Sequence, residues 1–292
     1  MIRMVVADMD GTLMAANGHV TPRVRTAIRA AIASGVFVTL ATGRWFRSAQ
    51  PIAREIGIEL PIILHNGALV KDSLTGEILD HCHLPRAMAE EAIDIIRAHR
   101  MQPIVYENVF DGELVVAGPA ELDSPYTARY LATKLDHLRR VPLDEMRLEH
   151  DPIQLAVADT AERADPLVVD LRRGRWRTVT SMSLAVPEAR FVEVLSPDCS
   201  KATAMRRLAE AHGVAPRDVM AVGDNFNDVE MIEAAGLGVA MGNAPAGVRE
   251  RADVVVPSVA DDGLAVAIER YVLDGLLPTA PSSPGAAGDS TG

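Results

Sequence analysis

The chain has 292 residues, enough for one large domain or two of ordinary size. Hydrophobic residues make up 48% and charged residues 24%, which is typical of a globular protein, but aromatic residues contribute only 4%. The formal net charge is −11, from 29 Lys and Arg against 40 Asp and Glu. Such an acidic chain is a poor candidate for sequence-independent nucleic-acid binding, although a local site can still attract a small anion.

Membrane proteins and secreted disulfide-rich proteins are also disfavoured. The two cysteines, Cys82 and Cys199, are too few for a disulfide framework and fit a reducing compartment. The N-terminal apolar run stops at Asp8, too early for a secretory signal. No apolar stretch approaches the ~18–20 residues that a membrane span requires. We therefore expect a cytoplasmic protein.

The first part of the chain alternates short apolar runs with helical patterns. Buried strands are predicted over 4–7, 36–41 and 61–64, with helices over 22–34 and 45–56 between them. Thr21 is the expected N-cap of the first helix, with Pro22 at its first position and Gly35 after its end. This β-α-β-α-β order predicts a parallel sheet with right-handed crossovers.

The middle of the chain changes character, and the last third returns to the first pattern. The middle contains predicted helices over 85–100, 124–138 and 161–173, and strands within 103–118, 153–158, 175–183 and 190–195. The last third has predicted helices over 200–212, 229–235 and 262–273, and strands over 218–222, 238–241 and 254–256. The simplest architecture is a Rossmann-like open parallel α/β sheet, formed by 1–83 and 191–277, with an α+β domain inserted over 84–190. Residues 278–292, rich in Pro, Ser, Gly and Ala, are predicted to be a disordered tail.

In an open parallel sheet, ligands bind beyond the carboxyl ends of the strands. Polar residues follow directly after four of the apolar runs. They are Asp8-Met9-Asp10-Gly11-Thr12, Thr42-Gly43-Arg44, Asn66-Gly67 and Gly223-Asp224-Asn225-Phe226-Asn227-Asp228. Carboxylates, carboxamides, a hydroxyl and a cation are therefore predicted to converge on one edge of the sheet.

These residue types fit phosphoryl transfer. Crowded carboxylates such as Asp8 and Asp224 favour Mg²⁺, which takes oxygen ligands and works with one or two carboxylates plus a phosphate. A carboxylate can also attack phosphorus and form an aspartyl-phosphate. Asp10 is placed to act as general acid and base, and Thr42 and backbone N–H groups to hold phosphate oxygens. Lys201, at a predicted helix start, can neutralise charge on the transferring group.

Each of these motifs has an ordinary structural explanation when it occurs alone. Asp-x-Asp is common, Thr-Gly-Arg after a strand is usually a turn, and a lysine near a helix N-terminus is usually solvated. Asx-rich turns cap helices for structural reasons. It is the ordered set of four, each after an apolar run or at a helix start, that indicates a phosphoryl-transfer site.

The ordered set resembles the motifs of the haloacid dehalogenase (HAD) superfamily of phosphohydrolases. The four matching segments are Val5-Val6-Ala7-Asp8-Met9-Asp10-Gly11-Thr12-Leu13, Thr42-Gly43-Arg44, Lys201 and Gly223-Asp224-Asn225-Phe226-Asn227-Asp228. The resemblance spans roughly 1–277. Asn66-Gly67-Ala68, Met241-Gly242-Asn243-Ala244 and the long insert narrow it to the Cof-type branch.

The resemblance implies roles for individual residues. Asp8 is then the nucleophile and Asp10 the general acid/base, while 84–190 is a mobile cap that selects the substrate and excludes water. Mg²⁺ binding is implied for Asp8, the Asp10 backbone carbonyl and Asp224, with Asp228 as a direct or indirect support. Phosphate binding is implied for the Met9 backbone, Thr42, Gly43, Lys201 and Asn227.

We therefore expect a Mg²⁺-dependent phosphatase of small phosphorylated metabolites, sugar phosphates first among them, with an aspartyl-phosphate intermediate. Three alternatives stay open at this point. A phosphomutase on the same scaffold would return the phosphoryl group to the sugar, and a regulatory protein would bind a phosphometabolite without turnover. Nucleic-acid binding would use a basic cluster in the insert, for which a solvated helix end is the default interpretation. The cluster comprises Arg172, Arg173, Arg175 and Arg177.

Three further features have competing interpretations. His81-Cys82-His83 suggests a metal site, but a hinge strand at the cap boundary is favoured. Cys199 near Lys201 can be a reactive thiolate, but a small packing residue is favoured. Arg44 and Arg47 are expected to face the cleft without a catalytic role.

Overall fold

The computed structural model describes residues 1–15, 18–107, 114–142, 145–183 and 186–276. Within these ranges the chain forms a five-stranded, a six-stranded and a three-stranded sheet. The predicted α/β core with an inserted α+β unit is confirmed. The predicted tail, 278–292, lies outside the described residues. No helix in the described ranges combines the length and hydrophobicity that crossing a bilayer requires.

The first part of the chain builds one half of the core. Its strands are β1 (Met4–Ala7), β2 (Phe37–Leu40), β3 (Ile62–Leu64), β4 (Leu69–Lys71) and β5 (Ile78–His81), and its helices α1 (Pro22–Ala33) and α2 (Phe46–Ile56). The Thr21 side chain accepts the N–H of Val24 at 3.3 Å, so the predicted N-cap of α1 is confirmed. β4 and β5 were not predicted. They pair antiparallel with β3, and β5 alternates partly buried and exposed residues instead of forming an apolar run.

The middle of the chain builds the second unit. Its helices are α3 (Arg86–Ala98), α4 (Pro125–Ala132) and α5 (Ala161–Leu171), and its strands β6 (Ile104–Glu107), β7 (Leu114–Ala117), β8 (Leu138–Arg140), β9 (Gln154–Asp159), β10 (Arg177–Ser183) and β11 (Val186–Leu195). The six strands form one sheet in the order β10-β11-β9-β6-β7-β8. The predicted domain boundary at 190/191 falls inside β11, which pairs with β9 from Arg190 to Val194.

Side chains alternate across this sheet, as strand geometry requires. Val192 and Val194 face the apolar layer formed with α3 and α5. Phe191 faces the other way and packs beside α4. One face of the sheet is thus covered by two helices, whereas the opposite face turns toward the core.

The predicted helix over 124–138 is wrong at its C-terminal end. α4 stops at Ala132, and β8 begins at Leu138 and pairs parallel with β7. Lys134 has a non-helical φ of −130°, and its Nζ lies 3.6 Å from the centroid of the Trp45 ring in the core. A tertiary contact therefore accompanies the early end of this helix, and local propensity does not reveal it.

The last part of the chain completes the core. Its helices are α6 (Lys201–Ala211), α7 (Val229–Ala234), α8 (Ala246–Arg249) and α9 (Gly263–Ile268), and its strands β12 (Val219–Gly223), β13 (Leu237–Ala240) and β14 (Val254–Val255). The core sheet is parallel in the order β14-β13-β12-β1-β2, and a parallel bridge between Ala41 and Ile63 places β3 beyond β2. β1 and β12 are neighbours although they lie near opposite ends of the sequence. Their carboxyl ends consequently meet at the middle of one edge.

β1 is buried on both faces, as its unbroken apolar run predicts. Val5 packs in the layer that contains α1 and α9, and Val6 in the layer that contains α6 and α7. Helices on both faces thus hold the central strand, and Asp8 follows it directly.

The loop after β3 depends on one glycine. Gly67 has φ +100°, and a Cβ there would lie 2.2 Å from the Ser200 carbonyl oxygen, directly before α6. We expect Gly67→Ala to lower the free energy of unfolding by at least ~2 kcal/mol, because it combines a strained φ with a backbone clash. Denaturant unfolding checks this.

Gly35→Ala is the matched control. Gly35 has a similar φ of +85°, but a Cβ there would meet open space. We expect a cost of only about 1 kcal/mol there. Equal losses at the two positions would contradict the close approach of the two loops.

Candidate active site

Four loops at the carboxyl edge of the core carry the polar residues singled out in the sequence. Asp8 follows β1, Thr42 follows β2, Asn66 follows β3 and Asp224 follows β12. These strands are adjacent, so the structure brings the four residues to one edge. Lys201, Asp228 and Asn227 link the loops after β1, β3 and β12 into one site.

A buried lysine lies at the centre of the site. The Lys201 ammonium donates to Asp8 Oδ1 at 2.6 Å and to Asp228 Oδ1 at 2.7 Å, and the residue is only 1% exposed. Burial disfavours the ammonium, but the two carboxylates outweigh it and raise the pKa of Lys201. Ser200 caps α6 through Thr203 and fixes the backbone from which Lys201 projects. Lys201 therefore stays charged and joins β1 to the loop after β12.

Three aspartates form a compact acidic group. Asp8, Asp224 and Asp228 each offer an oxygen within 4.8 Å of the others. Burial, opposed by Lys201 and reinforced by the neighbouring carboxylates, raises the pKa of Asp8. Burial and Asp228 raise the pKa of Asp224 to about 7. When all three are ionised, the group carries more negative charge than one lysine neutralises, and the raised pKa values express the cost of that state.

This donor set fits Mg²⁺, which binds oxygen ligands from one or two carboxylates. Asp228 is already used on both oxygens, since Oδ1 accepts from Lys201 and Oδ2 accepts the N–H groups of Asp224 and Asn225, each at 3.0 Å. Thr12 donates to Asp224 at 2.8 Å and orients its carboxylate. Asp8 and Asp224 are therefore the carboxylates placed to hold a cation, and Asp228 positions the loop and the lysine.

The Asp10 side chain points to a different partner. Arg44 donates to both Asp10 oxygens, with Nε and one terminal nitrogen each at 2.7 Å. This bidentate ion pair fixes the carboxylate in one orientation beside Asp8. The sequence interpretation gave Arg44 no catalytic role. Its place in the Thr-Gly-Arg motif after β2 was the only signal that it could lie beside Asp10.

Asn66 links three parts of the site. Its Oδ1 accepts from Asn227 at 2.9 Å, and its Nδ2 donates to Glu193 of β11 at 3.1 Å. His65 and Asn66 both have positive φ, 48° and 54°, which is uncommon for residues other than glycine. Glu193, which the sequence interpretation did not single out, is buried, and burial raises its pKa. The sequence signal that could have identified Glu193 is its place as an acidic residue inside the apolar stretch Phe191–Leu195.

A cavity of about 680 Å³ opens over these groups between the core and the second unit. Predicted site residues that line it are Asp8, Asp10, Thr42, Gly43, Asp224 and Asn227. The side chain of Met9 is buried, and the role of its backbone in phosphate binding stays a prediction. Lys201 lines a second cavity of about 200 Å³, on which Asn227 also borders.

The arginine cluster is largely engaged with acidic partners. Arg173 pairs with Asp170 at 2.8 Å and Arg175 with Glu91 at 3.4 Å. Arg177 contacts Glu230 of α7 across the two units, and it lines the smaller cavity together with Arg172. These pairs favour the surface interpretation over nucleic-acid binding.

The histidines and cysteines near the hinge form no metal site in the described ranges. In those ranges, the His, Cys, Asp or Glu side chains whose ligand atoms lie close enough together to hold one metal ion are Asp8, Asp224 and Asp228. The rings of His81 and His83 stack at 4.5 Å. Cys199 is buried and donates to the Asn66 carbonyl at 3.7 Å, and the neighbouring Cys82 together with burial raises the pKa of the Cys199 thiol. Cys199 is thus a packing residue, as favoured.

The acidic group predicts a pH-dependent response to magnesium. Because the pKa of Asp224 is raised in the folded state, the cation-free protein loses stability as the pH rises from the ordinary aspartate range to about 7. At pH 8 we expect 10 mM Mg²⁺ to raise Tm by about 3 °C or more, and at pH 5.5 by clearly less, because protons compete with the cation. Calorimetry at both pH values checks this.

Asp224→Asn provides the control for the magnesium experiment. The amide keeps the shape and removes a charge, so Tm without magnesium should rise at pH 8 and the response to Mg²⁺ should be lost. A magnesium response that survives this change would place the cation elsewhere.

Comparisons with known proteins agree with this geometry. A family model described as haloacid dehalogenase-like hydrolase matches residues 5–268. An HMP-PP phosphatase of Serratia proteamaculans is 31% identical, covering 84% of this chain and 85% of that protein. The pyridoxal phosphate phosphatase YbhA of Escherichia coli is 25% identical, covering 93% and 99%. The solved structure of the phosphatase BT1666 from Bacteroides thetaiotaomicron superposes with a TM-score of 0.74 at 26% identity, covering 93% and 95%. The chain therefore belongs to the haloacid dehalogenase-like hydrolase family and is, as predicted from its motifs, a phosphatase enzyme of the Cof type.

Proposed function

We propose that this protein hydrolyses phosphate monoesters of small metabolites in a Mg²⁺-dependent reaction through an aspartyl-phosphate on Asp8. The observation that carries the proposal is the pair of carboxylates, Asp8 and Asp10, at one cavity, each held by a different cation. Lys201 holds Asp8 and Arg44 holds Asp10. Two aspartates with separate partners suit two separate roles, nucleophile and acid/base.

In the first step, a carboxylate oxygen of Asp8 attacks phosphorus and the bond from phosphorus to the leaving oxygen breaks. Lys201 opposes the negative charge near the attacked group and orients Asp8 through the 2.6 Å contact. Thr42, Gly43 and Asn227 line the cavity beside Asp8 and are placed to hold the phosphate oxygens. Bound Mg²⁺ would supply further charge neutralisation between Asp8 and Asp224.

Asp10 moves the protons. As an acid it gives a proton to the leaving oxygen. As a base it then takes a proton from the water that attacks phosphorus, while the bond between phosphorus and the Asp8 oxygen breaks, phosphate leaves and the Asp8 carboxylate is restored. Arg44 holds the carboxylate of Asp10 in place through two hydrogen bonds. For the first step one oxygen of Asp10 carries the proton, and the other can still accept from Arg44, so the orientation of the carboxyl group is kept.

We propose that the inserted unit, predicted as 84–190 and extended here to the end of β11 at Leu195, acts as the cap. This unit supplies one wall of the cavity, through Tyr130, Lys134 and Glu193 among others. Sugar phosphates were the first expectation from the sequence. The relatives described above are named for HMP-PP and pyridoxal phosphate, which suggests that a range of phosphorylated metabolites is compatible with this fold. A cytoplasmic location stays a prediction from the cysteine content.

The central prediction concerns Asp8. Phosphate release from acetyl phosphate and from a panel of metabolite monoesters should require Mg²⁺ and should fall at least ~10⁴-fold in Asp8→Asn, because the amide is a poor nucleophile. Phosphate assays with Mg²⁺ or EDTA measure both requirements, and calorimetry confirms that the variant is folded. Full activity of Asp8→Asn would refute the nucleophile assignment.

The products of the same reactions separate the remaining alternatives. Free phosphate together with the dephosphorylated compound supports hydrolysis. An isomerised sugar phosphate without free phosphate would indicate a mutase, and tight binding without any turnover would indicate a regulatory protein.

A second prediction concerns Arg44 as a positioning residue. We expect Arg44→Met to lower kcat/KM, which reports the steps up to release of the leaving group, about tenfold for an alkyl phosphate, whose leaving oxygen needs a proton, because Asp10 loses its fixed orientation. The loss should be much smaller with p-nitrophenyl phosphate, whose leaving group needs no proton. Arg44→Lys cannot make the bidentate contact and should rescue little. Equal losses with both substrates would show that Arg44 acts through binding instead.

A further inference from the structure

The cavity is rich in aromatic side chains in a chain that has few. Aromatic residues make up only 4% of the sequence, yet Trp45, Tyr130 and Phe191 all line the cavity that contains Asp8 and Asp10. Trp45 belongs to the core, directly after Arg44, and the other two belong to the cap. Aromatic side chains therefore line both walls of the cavity.

These rings form a connected group around a buried ammonium. Tyr130 and Phe191 meet edge to face, with ring centroids 4.6 Å apart. Lys134 Nζ lies 3.6 Å from the Trp45 centroid and 4.8 Å from the Tyr130 centroid, and Lys134 is only 4% exposed. The cation thus joins a core ring to a cap ring, and it keeps both at the same part of the cavity.

The polar groups that the cap contributes to the cavity are already engaged with protein partners. Ser181 donates to Glu193 at 2.8 Å, and Glu193 also accepts from Asn66. The Thr133 hydroxyl donates to the Tyr130 carbonyl at 2.7 Å, and the Tyr130 hydroxyl bonds to that of Tyr106. Among the described lining residues of the cap, what remains for a ligand is mainly the ring faces.

Because the cap lines the cavity with rings and engaged polar groups, the cavity favours some leaving groups of the substrate over others. A sugar ring brings several hydroxyls, and each one that loses water without a new partner costs about 1–3 kcal/mol. A planar aromatic ring has few such groups and gains from contact with other rings, typically ~0.5–1.5 kcal/mol beyond simple burial. The walls of this cavity therefore suit a flat ring better than a polyol.

We infer that the preferred substrates are phosphate monoesters whose leaving group carries a planar aromatic ring, held by Trp45, Tyr130 and Phe191. The inference rests on the proposed function for the phosphate end of the substrate. It assigns the three aromatic residues to substrate selection. It also replaces sugar phosphates, the class expected from the sequence, as the preferred substrates.

The test uses ligands that differ only in aromaticity. Benzylphosphonate and cyclohexylmethylphosphonate have similar size and no hydroxyls on the ring, and neither can be hydrolysed. We expect the protein with Mg²⁺ to bind benzylphosphonate about fivefold more tightly in calorimetry. Among substrates, we expect kcat/KM for pyridoxine 5′-phosphate to exceed that for glucose 6-phosphate at least ~30-fold.

Matched variants on α4 show whether Tyr130 is responsible for the preference for the aromatic phosphonate. Tyr130→Leu should bring the two phosphonates to equal affinity, whereas Tyr130→Phe should keep the preference because it keeps the ring. Tyr126→Leu is the control. Tyr126 lies one turn earlier and, like Tyr130, packs against the buried apolar cluster that contains Phe191, but it does not line the cavity. Its phosphonate preference should match that of the unmodified protein.

The outcomes separate this inference from the proposed function. Equal affinity for the two phosphonates, or faster Asp8-dependent hydrolysis of glucose 6-phosphate, overturns the aromatic preference and leaves the phosphatase proposal standing. A clear benzylphosphonate preference without hydrolysis of any ester supports the aromatic site and overturns the phosphatase proposal.

Discussion

The buried ion pairs of Lys201 are the interactions on which the site depends. A lysine that is 1% exposed is stable only with charged partners, and here it has two, Asp8 at 2.6 Å and Asp228 at 2.7 Å. Asp228 also holds the N–H groups of Asp224 and Asn225. One ammonium thereby connects β1, the start of α6 and the loop after β12, which are far apart in the sequence. Loss of Lys201 would leave the buried carboxylates of Asp8 and Asp228 without their cation, so both depend on this one ammonium.

The site is also tied to the cap. Asn66 bonds to Asn227 in the core and to Glu193 on β11, and Lys134 of the cap lies over the Trp45 ring of the core. These contacts involve loops whose residues we propose to bind phosphate. The packing of the inserted unit on the core and the arrangement of the proposed catalytic groups are therefore physically coupled, which suits a reaction that must exclude bulk water while a phosphoryl group is transferred.

Much of the fold could be predicted because buried parallel strands have unbroken apolar runs. β1 was located residue for residue, and the N-cap at Thr21 followed from the Thr-Pro pair. β4, β5 and β8 were missed because they are short and, for β5, only partly buried. The end of α4 was misplaced because the turn at Lys134 accompanies a contact with Trp45, and no local pattern contains that information.

The sequence by itself determined the residue types of the site and the strand ends at which they lie, because motif order and apolar runs are local properties of the chain. It also determined the family, since Asp8, Thr42, Lys201 and Asp224 occur in the required order. Only the tertiary structure decided which groups pair. Arg44 with Asp10, Asn66 with Glu193 and Lys134 with two aromatic rings join distant segments. Their partners depend on which strand ends the core sheet brings together and on how the two units pack, and spacing along the chain encodes neither.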